Sequence, residues 1–121
     1  MIESAFPILE VDDLDVALAF YRDGLGGELV FQFPPEGDAA YVSLAVGSSR
    51  LGLGVVPGGR AGADSGVGLW FYVDDVDRVV DELEARGAAV LERPADMPWG
   101  ERVALVTDPF GTRVRLGRAA A

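Results

Sequence analysis

The sequence prints one pattern twice. An apolar run ends in Val11-Asp12-Asp13-Leu14-Asp15, and 62 residues later another ends in Val73-Asp74-Asp75-Val76-Asp77. At the same offset Leu14, Leu18, Tyr21 and Leu25 fall on Val76, Val80, Leu83 and Gly87, so the i, i+4, i+7 apolar face of a helix recurs behind each acidic cluster. Such a chain must fold as two related modules. With 121 residues in all, each copy has about 60, and a module of that size buries only about 60% of its unfolded surface. The copies therefore have to share a core, with each other or with a second chain.

Taken in order, residues 5–11 read as a first strand, which Pro7 places at an edge, a bulge or an exchanged position. Asp12 or Asp13 caps a helix whose first turn also holds Asp15, where a carboxylate suits the positive end of the helix dipole. Gly24, Gly26 and Gly27 stop it. Residues 28–33 form a strand with Leu29, Phe31 and Phe33 on one face; the phenylalanines are read as packing residues, with Phe33, beside Pro34-Pro35, also placed for a pocket rim. Residues 41–46 and 50–55 pair around Gly47-Ser48-Ser49. In the second of these strands Leu51, Leu53 and Val55 alternate with Gly52 and Gly54, leaving one face bare and open to an approaching group.

Residues 57–66 have the composition of a flexible connector. Beyond them the pattern repeats: a strand at 69–73, a helix from about Asp75 to Gly87, a strand at 88–92, a loop at 93–100, and strands at 102–107 and 112–116. The last two join through Asp108-Pro109-Phe110-Gly111, which puts Asp, Pro and Gly at positions i, i+1 and i+3 of a type I turn. The order is βαβββ twice, with module 1 at about 4–56, a linker at 57–66 and module 2 at about 67–117, within one domain spanning 1–121.

Composition removes several function classes. Without cysteine there is no disulfide, thiolate metal site or cysteine nucleophile, and histidine is absent as well. A formal charge of −10, with all ten basic residues scattered arginines, argues against nucleic acid as a partner. Glu3 interrupts the start, no positive segment precedes an apolar one, and no run approaches the roughly 18 apolar residues of a membrane span. The expectation is a cytoplasmic protein with no membrane partner.

The doubled strand-then-Val-Asp-Asp-helix opening, Phe20-Tyr21 in the first helix and Asp108-Pro109-Phe110-Gly111 before the last strand resemble the glyoxalase/bleomycin resistance protein/dioxygenase superfamily, also called vicinal oxygen chelate, over nearly the whole chain. The resemblance implies an α+β fold in which two tandem βαβββ modules form a curved, partly open eight-stranded barrel. Ala5-Phe6-Pro7-Ile8-Leu9 and Pro98-Trp99-Gly100-Glu101-Arg102 look most like the bleomycin-binding resistance proteins. Enzymes of the superfamily hold a divalent metal through His, Gln or Glu on the first, fifth and eighth strands, and the equivalent positions here are Phe6, Gly68 and Arg115. A phenyl ring and a bare glycine donate nothing, and a guanidinium is not deprotonated in proteins. The resemblance thus implies the metal-free, cofactor-free, ligand-binding branch. It also implies a homodimer, in keeping with half-size modules, the connector and Pro7.

If Phe6, Gly68 and Arg115 face the concave side, a period of two brings Ile8, Glu10, Trp70, Tyr72 and Arg113 there, while Leu9, Val11, Phe71, Val73, Val114 and Leu116 face the helices. Gly52 is the first-module counterpart of Arg115. Trp99, in a loop rich in Pro and Gly, needs a partner or a ligand. The candidate ligand-binding set is Phe6, Ile8, Glu10, Phe33, Trp70, Tyr72, Trp99, Arg113 and Arg115, with no catalytic or metal-binding residue. The expected function is sequestration of an aromatic, antibiotic-like small molecule in a cleft between the modules. Two readings compete: a metal-independent enzyme using Glu10 or Tyr72 as acid/base with Arg113 or Arg115 stabilising negative charge, and an interaction protein whose former cleft is filled by side chains. The net charge favours a cationic ligand of the bleomycin type, whereas Arg113 and Arg115, if unpaired, would favour an anion.

Overall fold

In the computed structural model, which describes residues 1–120, each copy of the repeat folds as βαβββ. The chain divides into two compact units, Met1–Ala61 and Gly62–Ala121. The first contains β1 (Ile8–Val11), α1 (Leu14–Leu18) continued by a π-helical turn (Ala19–Gly24), β2 (Glu28–Phe33), β3 (Tyr41–Val46) and β4 (Ser49–Val55). The second contains β5 (Gly68–Tyr72), α2 (Val76–Ala85), β6 (Val90–Asp96), β7 (Arg102–Thr107) and β8 (Arg113–Arg118). The sheets have the same topology, β1-β4-β3-β2 and β5-β8-β7-β6, and in each the first strand runs parallel to the last. The α+β class and the tandem modules are therefore as expected. Pro7 immediately precedes edge strand β1, and its carbonyl accepts from the Gly52 N–H at 2.9 Å.

The acidic clusters are helix caps. Asp13 Oδ1 accepts from Val16 N and Asp75 Oδ1 from Arg78 N, each at 3.1 Å, satisfying one of the orphan donors of a helix start. Behind them Ala17, Leu18, Phe20 and Tyr21 in the first unit, and Val76, Val79, Val80 and Leu83 in the second, bury the apolar stripe. The two helices are not copies in detail. Both segments close on a glycine in the left-handed region, Gly26 (φ 81°) and Gly87 (φ 98°), but the distance from cap to glycine is one residue longer from Asp13 to Gly26 than from Asp75 to Gly87. The π-helical turn absorbs that extra residue. Its widened backbone lets two successive aromatic side chains point inward, and Phe20 and Tyr21 meet edge to face with centroids 4.8 Å apart.

Under the helices, Leu9, Val11, Val42, Leu44, Leu51 and Leu53 form one core, and Ala104, Val106, Val114 and Leu116 contribute to the other. Arg102 makes two bonds to Asp77, at 2.7 and 2.9 Å, and one to Asp96 at 3.0 Å, tying the start of β7 to the first turn of α2 and the end of β6. Hydrogen bonding to Arg102 holds the Asp77 carboxyl below its usual range. These groups are exposed, so the network fixes geometry more than it adds stability.

Three sequence expectations are corrected. A register shift between Leu29 and Phe31 inserts Val30 as an extra residue, so Leu29 pairs with Leu44 on the helix side while Phe31 and Phe33 turn to the opposite face. Residues 93–96, expected in a loop, continue β6 through Pro94. A proline is tolerated there because β6 is an edge strand whose pairing is irregular between Glu92 and Ala95. The connector is also not a free tether. The N–H groups of Arg60 and Ala61 both donate to the Glu10 carbonyl, at 3.0 and 2.9 Å, and residues Ala63–Ser65 form a 3-10 turn capped by the Ser65 hydroxyl on the Gly62 carbonyl at 2.8 Å. Among the described residues no helix is long and apolar enough to cross a membrane.

Candidate ligand-binding site

Each sheet packs one face on its helix and presents the other without a helix. The alternation in β1 and β8 is as the period of two requires: Leu9, Val11, Val114 and Leu116 are buried, whereas Ile8, Glu10, Arg113 and Arg115 point the other way. In the first unit the pairing registers align Ile8, Gly52, Ser43 and Phe31 in one row, and Glu10, Gly54, Tyr41 and Phe33 in the next. Phe33 is 60% exposed and closes β2 before a cis peptide to Pro34. Phe6 lies ahead of β1 and is half exposed. The face over Gly52 is not bare. A methyl group there would lie 2.6 Å from the Tyr41 hydroxyl and 2.9 Å from Ile8 Cγ1, so the missing side chain makes room for Tyr41 and Ile8 rather than for a ligand.

In the second unit the rows are Gly68, Arg113 and Thr107; Trp70, Arg115, Leu105 and Glu92; and Tyr72, Gly117, Val103 and Ala95. Val103 and Leu105 are buried on this face, Leu105 to 1%, so its middle is filled by side chains. What stays accessible is the margin formed by Trp70 (39% exposed), Tyr72 (61%) and Arg113. Trp70 is held flat: its indole lies on Gly117, where a methyl group would come within 3.0 Å of both Cζ2 and Nε1, and its ring is 5.9 Å from that of Tyr72.

Trp99 sits in the tight turn between β6 and β7, in which the Gly100 N–H donates to the Met97 carbonyl at 3.0 Å. Its ring is 60% exposed and its Nε1–H donates to Glu101 Oε1 at 2.6 Å. The Glu101 carboxylate also acts on the Tyr72 hydroxyl and raises the Tyr72 pKa above its ordinary 10.0. One carboxylate thus links two aromatic residues that come from different parts of the sequence. Glu101 is absent from the candidate ligand-binding set read from the sequence, yet carrying the two-residue period back from Val103 places it on the Tyr72 face.

The tyrosine shift has a testable sign. A phenol whose folded pKa is raised contributes stability that is complete below the unfolded value near 10 and is lost as pH rises through the folded value. The difference in ultraviolet titration between the wild-type protein and Tyr72→Phe should show the Tyr72 phenol ionising later than a free phenol, and Glu101→Gln should bring it back down. An unchanged titration in that variant would mean that Glu101 does not hold the hydroxyl.

With this geometry in view, the comparisons with known proteins place the chain. The family model described as the glyoxalase/bleomycin resistance protein/dioxygenase superfamily matches residues 6–116, and the chain belongs to that superfamily. It is 30% identical to the uncharacterized protein Mb0911c of Mycobacterium bovis over 93% of this chain and 80% of that one. The crystal structure of TioX from Micromonospora sp. ML1 superposes with a TM-score of 0.78 at 24% identity, covering 98% of both chains, a likeness of fold. A lactoylglutathione lyase structure from Agrobacterium tumefaciens is 30% identical with a TM-score of 0.68, over 98% of this chain and 95% of that one.

The positions that would carry a metal in enzymes of this kind do not suit one here. Arg115 Nη1 lies 3.9 Å from where a side chain at Gly68 would begin, so a fixed positive charge occupies the neighbourhood a divalent ion would need. Phe6 has no donor atom, and among the described residues no group of three or more Asp or Glu is assembled elsewhere.

Proposed function

We propose that the chain is a metal-free small-molecule-binding protein of the bleomycin-resistance type, which sequesters an aromatic, antibiotic-like ligand against Trp70 with Trp99 in or beside the contact. The observation that carries this reading is the indole of Trp70, lying flat on Gly117 and still accessible, next to Tyr72 and near Trp99 through Glu101. Rings fixed before binding lose little entropy when a planar ligand stacks on them. The metal-independent enzyme reading has the lactoylglutathione lyase relative in its favour. It asks Tyr72 to exchange a proton near neutral pH, whereas hydrogen bonding to Glu101 pushes that proton's pKa upward. We infer as well that two copies associate, because each unit leaves large apolar side chains exposed on its helix-free face. Light scattering should return twice the chain mass, and a single chain mass would remove that inference.

The functional test is a titration of chelator-dialysed protein with bleomycin and with neutral planar aromatics, followed by indole fluorescence. Saturable binding without consumption of the ligand is expected, unaltered by Zn, Ni, Mn or Fe, none of which should raise the melting temperature. Ligand turnover without metal would favour the enzyme reading. One tightly held metal per chain in elemental analysis would overturn the metal-free reading.

A further inference from the structure

We propose that the ligand held against Trp70 is an aromatic carboxylate, its ring on the indole and its carboxylate on Arg115 and Arg113; this rests on the aromatic-binding reading above and gives that ligand its charge. The two arginines are separated on β8 by fully buried Val114, so both leave the strand on the Trp70 side, roughly 7 Å apart along the backbone. Arg115 is the direct register partner of Trp70, and Arg113 that of Gly68. Gly68 places no side chain beside them, and Arg115 Nη1 lies 3.9 Å from where one would begin.

Neither arginine makes an ion pair among the described residues, although Arg78, Arg93 and Arg102 of the same unit all do. The nearby carboxylates are otherwise committed or distant. Glu101 accepts from Trp99 Nε1 at 2.6 Å. Glu92 shares a row with Arg115 but lies two strands away, about 10 Å at ordinary sheet spacing. Two like charges on one face of a strand, uncompensated in a chain of net charge −10, repel each other until an anion joins them. A carboxylate matches the guanidinium fork and forms charge-assisted hydrogen bonds with it. The overall negative charge opposes such a ligand only at long range. Salt screens that field beyond about 8–10 Å, whereas direct contact with Arg115, which is partly buried, is screened less, Arg113 being exposed.

Three probes of nearly one shape separate ring from charge: 2-naphthoate, 2-naphthamide and the 2-naphthylmethylammonium ion. Calorimetric titration of the wild-type protein should show naphthoate binding about tenfold or more tightly than either of the others. In Arg113→Gln/Arg115→Gln that preference should vanish while the affinity for the amide stays within about twofold, since a charge-assisted contact is lost and the stacked ring is not. Equal affinity for all three probes, or preference for the ammonium ion, would overturn the inference and leave the aromatic-binding reading standing. Absence of binding by all three would overturn both. The comparison among probes on the wild-type chain decides the matter even where the double variant fails to fold.

Discussion

Leu83→Ala is expected to lower the unfolding free energy by about 2–5 kcal/mol, the cost of removing a buried leucine and leaving a cavity. Leu83 is 1% exposed on the face of α2 that packs against β6, β7 and β8. Its repeat counterpart Tyr21 is fully buried, and Tyr21→Ala should cost about 3–5 kcal/mol for the same reason with a larger side chain. Against a total stability of order 5–15 kcal/mol either loss is severe. Urea denaturation checks both, through a lower midpoint at an unchanged slope. A loss below about 0.5 kcal/mol, ordinary for a surface position, would mean that the repeated helix face does not carry the core.

Gly59→Ala should destabilise by about 1–3 kcal/mol, the usual cost of forcing extra volume into a packed site. The new methyl group would lie 2.7 Å from Asp12 N, 2.8 Å from Val11 C and 2.9 Å from Glu10 O. All three are main-chain atoms, so relief requires moving the end of β1 and the residues that lead into the Asp13 cap. Gly52→Ala is the informative contrast: its methyl group meets the Tyr41 hydroxyl and ring edge and the Ile8 side chain, which can turn aside. Thermal unfolding of the two variants should therefore rank Gly59→Ala as the more damaging. The reverse order would show that the connector is not seated against β1.

Much of the fold was legible because the repeat is physical as well as textual. Each Asp that precedes an apolar stripe had to be a cap, and Asp13 and Asp75 are; Asp108, opening the turn between β7 and β8, accepts from Phe110 N and Thr112 N at 2.9 and 2.8 Å. The equivalence of Gly52 with Arg115 is also met, since Gly52 pairs with Ile8 as Arg115 pairs with Trp70. What escaped the sequence were single-residue insertions. One is absorbed by the π-helical turn after Leu18, another by the bulge at Val30, and the second reverses the direction of Phe31 and Phe33. A strand period of two has no means of signalling such a slip in advance. Gly52 and Gly54 suggested an open face for a sound reason, but the sequence could not show that Tyr41 folds over the first of them. Glu101 was hidden by its neighbours: between Gly100 and Arg102 it reads as a loop charge, and only the register of β7 with β8 sets it beside Tyr72.

The most direct measurement is the affinity of an aromatic ligand for Trp70→Ala and Trp99→Ala, each confirmed as folded by circular dichroism, beside the wild-type protein. Trp70 and Trp99 are the only tryptophans in the chain, so each variant also isolates the fluorescence of the other. Loss of a stacked ring should weaken binding by about 1–3 kcal/mol. The larger effect is expected in Trp70→Ala, where the indole is seated on Gly117. Affinity unchanged in both variants would place the ligand elsewhere on the protein and contradict the site described.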